Sequence, residues 1–340
     1  MNHIGSSNCQ QLNWGTPLAY GAGLSLLVLL STAIGTHDIA PAVVWQALVH
    51  FDPTQSDHLL IRYLRLPRAL LAILIGAGLA AAGVIMQALT RNPLADPGIL
   101  GVNAGASVAV ASGIAMLGIT TPLGLLIFGM AGAAVTGLLI LLLSSLRLGG
   151  DPIRVVLAGT AISAVLLALT HIITLNSQEQ VFDQFRHWAV GALQGRGHSV
   201  LLPLAIPMLI GLTLTLLLSH SLDTLVLGRE LGRALGVHVQ RTWLTAGLVV
   251  ILLTGGATAA AGPIAFIGLT APHLARFLVG ASHRRLLPRA MLIGAVLMLA
   301  ADTLGRRIAH PGEVSVGIMI ALIGGPFLVG LARRRSLAQL

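Results

Sequence analysis

The sequence predicts an all-α, polytopic membrane protein with about ten transmembrane helices and an inverted internal repeat. Composition is the first reason. The chain has 340 residues, of which 55% are hydrophobic and only 9% charged, and its mean hydropathy is +0.89. A soluble chain carries about a quarter charged residues. Patterning is the second reason. Apolar runs of about twenty residues recur along the chain with few charges inside them, as the hydrocarbon core requires of helices that must satisfy their own backbone. The third is self-similarity. Gly76–Ile85 resembles Gly255–Ile264 at an offset of 179, and Pro93 with Pro272 and Gly101 with Gly280 keep that offset.

Residues 1–16 are expected as a cytoplasmic N-terminal tail, and 17–340 as a single transmembrane domain. The spans are expected at 17–35, 68–88, 99–118, 122–145, 153–175, 199–220, 242–261, 263–280, 287–304 and 316–332. Gly262-Pro263 divides the apolar stretch 242–280 into two spans, because proline breaks the helical ladder. The stretch 176–198 is too polar to cross and is expected as a short outer helix holding Trp188. That tryptophan either lines the mouth of a pathway or anchors at the membrane interface. The first repeat copy lies in span two and the second in span seven, so the two run in opposite directions.

An even number of spans places both termini on one side. With the termini in the cytoplasm, twelve loop arginines fall inside and seven outside, in accord with the positive-inside rule. The seven outside are Arg62, Arg65, Arg68, Arg186, Arg196, Arg306 and Arg307. The net charge of +9 is scattered over short loops, so no nucleic-acid partner is expected.

Several chemistries are excluded. The chain has no lysine, so it cannot carry a phosphate-binding P-loop, and any ATP hydrolysis lies in another polypeptide. Cys9 is the single cysteine and has no partner for an internal disulfide. No Ser/His/Asp arrangement, zinc spacing or carboxylate pair stands out, so neither an enzyme activity nor a cofactor or metal site is expected. Within the spans, Asp302 can pair with Arg306 one turn on, and His171 lies late in span five. No free midplane acid supports ion coupling, though these two residues keep a secondary carrier in view.

Three stretches resemble a known family. They are Arg65-Leu66-Pro67-Arg68 followed by Met86–Gly101, then Leu231–Val237, then Gly262–Arg276. They resemble the FecCD-type permeases of ABC importers for iron siderophores, haem and cobalamin. The resemblance implies a permease that moves a ferric siderophore, or alternatively haem or cobalamin, by alternating access across the cytoplasmic membrane. It implies a second permease subunit, identical or homologous, an ATP-binding-cassette ATPase subunit and an extracytoplasmic substrate-binding protein. The iron would arrive wrapped in its chelator, so no metal ligand is expected.

The same resemblance implies residue roles. Arg65, Arg68 and Arg306 would receive acidic side chains of the docked binding protein, for which a planar guanidinium is suited. The loop of about 223–241 would hold a coupling helix for the ATPase, with Gly228, Glu230, Leu231, Gly232, Arg233, Ala234, Leu235 and Gly236 at the contact. The turns at Asn92, Pro93, Asp151 and Pro152, together with Trp188, would lie along the pathway or its gate.

Overall fold

A computed structural model describes residues 15–35, 37–145, 152–226, 228–234, 236, 238–309 and 312–333. All regular secondary structure among them is helical. The helices are α1 (Gly15–Ala33), α2 (Pro41–Val49), α3 (Ser56–Leu59), α4 (Leu66–Thr90), α5 (Val102–Leu117), α6 (Pro122–Ser145), α7 (Pro152–Leu175), α8 (Glu179–Ala189), α9 (His198–Val226), α10 (Arg229–Ala234), α11 (Val239–Ala261), α12 (Ile267–Val279), α13 (His283–Ile308) and α14 (Val316–Arg333).

Each expected span coincides with one of α1, α4, α5, α6, α7, α9, α11, α12, α13 and α14. Six of these helices are long and apolar enough to cross a membrane, and α1, α5, α12 and α14 are shorter apolar helices. Span two starts earlier than expected. A π-helical segment, Leu60–Arg65, joins α3 to α4, so the chain is continuously helical from Ser56 to Thr90. Span six runs later than expected, to Val226. Asp223 explains the extension: its carboxylate accepts hydrogen bonds from the backbone N and Nδ1 of His283, at 2.8 and 2.7 Å. That ties the last turn of α9 to the first turn of α13.

The core is built on α4, whose small residues let its backbone touch those of α12 and α13. A Cβ on Gly76 would lie 2.3 Å from the carbonyl oxygen of Gly294, and one on Gly83 would lie 2.0 Å from that of Gly268. Close approach of this kind is how membrane helices gain packing without a hydrophobic driving force between them. The periphery is opposite in character. Val165 on α7 is 68% exposed and Leu322 on α14 is 64% exposed, so these apolar faces are turned to lipid or to another subunit.

Helix directions follow from end-to-end bonds. His198 at the start of α9 bonds the carbonyl of Arg62, and Arg91 after α4 donates to the carbonyl of Leu225 near the end of α9. Helices α4 and α9 are therefore parallel, and α11, returning after α10, is antiparallel to both. The two repeat copies run in opposite directions, as their spacing implied.

Both copies are interrupted. After α4, Arg91 adopts a left-handed conformation with φ of 50°, and Asp96 caps a short 3-10 turn (Pro97–Leu100) through the backbone N of Gly98, at 2.8 Å. Burial raises the pKa of that carboxyl, while the Gly98 bond lowers it. After α11 the chain is non-helical until Phe266, also left-handed, and α12 starts against the middle of α4. The interruptions meet, with Gly268 packed on Pro97 and Thr258 donating to Asn103 Oδ1 at 2.8 Å.

Candidate functional site

The end of the bundle where α4 begins gathers most of the basic groups picked out from sequence. The π-helical turn brings Arg65 under the C-terminus of α1. Its Nη1 donates to the carbonyls of Thr32 and Ala33 at 2.8 and 3.0 Å, and its Nη2 donates to that of His37. Arg306 reaches the same helix end from α13, donating to Ile34 O at 3.2 Å and Ser31 Oγ at 2.6 Å. The last carbonyls of a helix have no partner within it, and two guanidinium groups supply the missing donors here.

Arg68 grips Asp302. Its Nε lies 3.0 Å from both carboxylate oxygens and its Nη2 lies 2.8 Å from Oδ1. Its Nη1 reaches Glu313 Oε2 at 2.8 Å. The i,i+4 pair expected between Asp302 and Arg306 is present at 3.4 Å, but it is the weaker arm of a network that sequence reasoning did not assemble. Asp302 and Arg306 are buried, at 1% and 3% exposure. Arg65 and Arg306 are thus directed inward with internal partners, and Arg68 is largely covered. Arg62, stacked 4.6 Å from the ring centre of Phe51, and Arg307, paired with Asp38 at 2.9 Å, are the exposed arginines nearby.

Two cavities open at this end. One, of about 220 Å³, is lined by Arg65, Arg68, Arg196, Arg306 and Glu313 among others. The other, of about 380 Å³, lies beneath α8 and is lined by Gln184, His187, Trp188, Gln194, Arg196 and Ser315 among others. Helix α8 is amphipathic. Phe185 and Trp188 turn inward with ring centres 5.9 Å apart, while Arg186 pairs with Asp183 at 3.0 Å on its exposed side. Trp188 is 2% exposed and its Nε1 donates to Ala259 O at 3.4 Å. This tryptophan is turned inward and forms part of a cavity wall. Arg196 was grouped only with the outer charges from sequence. It lies in both linings, and burial pushes its guanidinium down from its ordinary pKa.

At the opposite end, α10 is a six-residue helix between Gly228 and Gly236, whose φ values of 112° and 80° favour glycine. Glu230, Leu231 and Ala234 are exposed, Leu231 by 57%. Gly232 faces inward, where a Cβ would meet Val239 at 3.2 Å. Arg233 lies within the helix, and Leu235 lies outside the described residues. Asn92 is exposed and its Oδ1 accepts from the backbone N of Leu94, ahead of the half-buried Pro93. Pro152 opens α7, and Asp151 lies outside the described residues.

Six helices long and apolar enough to cross a membrane, with four shorter apolar ones packed among them, mark an integral membrane protein. Comparison narrows that class. Residues 23–334 match the FecCD transport family. The chain is 45% identical over 322 residues to the ferric enterobactin transport system permease protein FepD of Escherichia coli (strain K12), covering 92% of this chain and 95% of that protein. It is 38% identical over 335 residues to the iron(3+)-hydroxamate import system permease protein FhuB of Bacillus subtilis (strain 168), covering 96% of this chain and 86% of that one. A solved structure described as an inward-facing metal-chelate type ABC transporter superposes with a TM-score of 0.82 at 31% identity, covering 94% of this chain and 98% of that one. The chain belongs to the FecCD transport family.

Proposed function

We propose that this chain is the membrane-spanning permease subunit of an ATP-binding-cassette importer, and that it carries a ferric siderophore across the cytoplasmic membrane by alternating access. The observation that carries this reading is the extent of the family match, from residue 23 to residue 334. The polar network adds support. Asp302, an acid of a kind an ion-coupled carrier would use, is instead engaged in ion pairs with Arg68 and Arg306.

Both termini face the cytoplasm in this reading. An ATPase subunit binds α10, with Leu231 as an apolar anchor in its groove. A second permease, identical or homologous, packs on the exposed apolar faces of α7 and α14. The binding protein docks on the opposite, basic end. Four guanidinium groups, of Arg65, Arg68, Arg196 and Arg306, stand there against two carboxylates, of Asp302 and Glu313. Within the cleft that local excess of guanidinium attracts acidic groups, while outside it Asp38 and Asp183 balance Arg307 and Arg186. Arg65, Arg68 and Arg306 form its floor, with Arg62 and Arg307 in reach at the rim. Asn92, Pro93 and Pro152 lie on the cytoplasmic side of the pathway in this reading, where the chelate is released.

Cargo is tested by reconstituting the permease with its ATPase and binding protein and measuring ATP-driven uptake of iron siderophores, haem and cobalamin side by side. The reading expects accumulation of an iron siderophore. Accumulation of haem or cobalamin alone overturns the cargo while leaving the importer class intact.

A further inference from the structure

Of the arginines lining the cleft at the basic end, Arg196 differs from the other three. Arg65 and Arg306 cap α1 and Arg68 holds two carboxylates. The Arg196 side chain makes no hydrogen bond or ion pair among the described residues, and its Nε is buried without an acceptor. The residue is only 9% exposed. A guanidinium taken out of water without an acceptor is costly, and that cost is offset when a ligand brings the acceptor in.

The surroundings indicate which ligand. Arg196 is the charged member of the lining of the 380 Å³ cavity, which contains no carboxylate. Gln184, His187 and Trp188 project into it from one face of α8, at the i, i+3 and i+4 positions. Gln194 and Ser315 add polar groups, and Ile114, Pro122 and Leu125 add an apolar wall. Because the Trp188 Nε1 is committed to Ala259, its ring serves the cavity as an apolar surface. Half of the lining is polar and half apolar, so the cavity suits an amphipathic ligand, and its volume lies in the range of small-molecule sites.

We propose that Arg196 and the inner face of α8 form an entry site for the iron chelate, at which Arg196 donates hydrogen bonds to an anionic carboxylate or catecholate oxygen while the chelate's ring or alkyl arm lies against Trp188 and Leu125. The inference rests on the importer reading above and adds to it a selectivity for negatively charged chelates. A carboxylate from a docked protein is the poorer occupant. Arg196 is recessed below the rim, and the cavity beside it holds more than one side chain's end.

The test uses the full-length permease in lipid nanodiscs. The probes are a trianionic ferric tris-catecholate and a neutral ferric trihydroxamate, each followed by equilibrium dialysis with radioactive iron. Arg196→Gln should weaken tris-catecholate binding about tenfold, as expected for loss of a charge-assisted contact. Arg196→Lys should restore part of it, and trihydroxamate binding should not change. Thermal stability of Arg196→Gln should be equal or higher, because the charge has no internal partner to lose; a structural arginine would lower it. Equal tris-catecholate affinity in the wild type and Arg196→Gln, or none in the wild type, overturns the site. So does a variant that loses affinity for the binding protein yet keeps its affinity for the chelate. If Arg196→Gln leaves both affinity and ATP-driven uptake unchanged in the assembled transporter, this site alone falls. If the unmodified assembly imports no iron chelate, the importer reading falls and takes this inference with it.

Discussion

Asp302 has the most demanding position of any residue at the basic end. It is 1% exposed and receives three close contacts from Arg68 and one longer contact from Arg306. Removing one member of a buried ion pair leaves the other charge stranded, at a cost of about 3–5 kcal/mol. Asp302→Ala should therefore lower the melting temperature of the detergent-solubilised protein sharply, and Asp302→Asn should lower it less. A melting temperature unchanged in Asp302→Ala would show that the network is not holding α4 to α13. The same geometry limits what arginine variants can reveal. Loss of import on replacing Arg65 or Arg306 would combine any docking defect with loss of the α1 cap, so exposed Arg62 and Arg307 are the better probes of docking. None of these pairings was legible in the sequence beyond the Asp302–Arg306 spacing. Arg68 and Asp302 are 234 positions apart, and no local pattern links them. The isolation of Arg196 was equally hidden, because it is a property of everything packed around the side chain.

Helix α10 shows how far local chemistry can be read. The family resemblance implied a short helix in the loop of about 223–241, and the structure has one between two glycines of positive φ. What pattern could not show is which side chains face out. Leu231 is exposed and Gly232 faces Val239, so a substitution at 231 changes the surface while one at 232 disturbs packing. Leu231→Asp should leave membrane insertion and thermal stability unchanged while reducing ATPase association at least about tenfold, as loss of an apolar anchor does. Undiminished association, measured by co-purification and by stimulation of hydrolysis, would make α10 an ordinary connection. The long spans were legible because hydropathy is a one-dimensional signal, and Gly262-Pro263 correctly marked the break between α11 and α12. The start of span two was not, because Arg62 and Arg65 interrupt the apolar run while their neighbours keep the helix going. Orientation is checked by cysteine labelling after replacement of Cys9. Positions 57 and 312 should react from outside, and 151, 229 and 284 only from inside. Labelling of 229 and 312 from one side would contradict both the span order and the inverted repeat.

At the scale of the molecule, the two interrupted copies meet where Gly268 packs on Pro97 and Thr258 bonds Asn103. Helices broken inside a bundle can shift against one another without exposing backbone to lipid, as alternating access requires. The basic end lies at one extreme of this arrangement and α10 at the other, with the packed helices α9, α11 and α4 between them. The arginines and the loop at the two ends stand out in the sequence, whereas the middle does not, because contacts between small residues leave no distinctive pattern. The chain has no lysine and therefore no P-loop, so the account requires energy from a separate ATPase. The most direct measurement is uptake of labelled ferric siderophore into proteoliposomes containing the permease, its binding protein and the ATPase subunit. The account predicts accumulation that requires ATP, stops when the ATPase subunit is omitted, and persists when proton and sodium gradients are collapsed. Uptake without the ATPase subunit, driven by an imposed ion gradient, would contradict it.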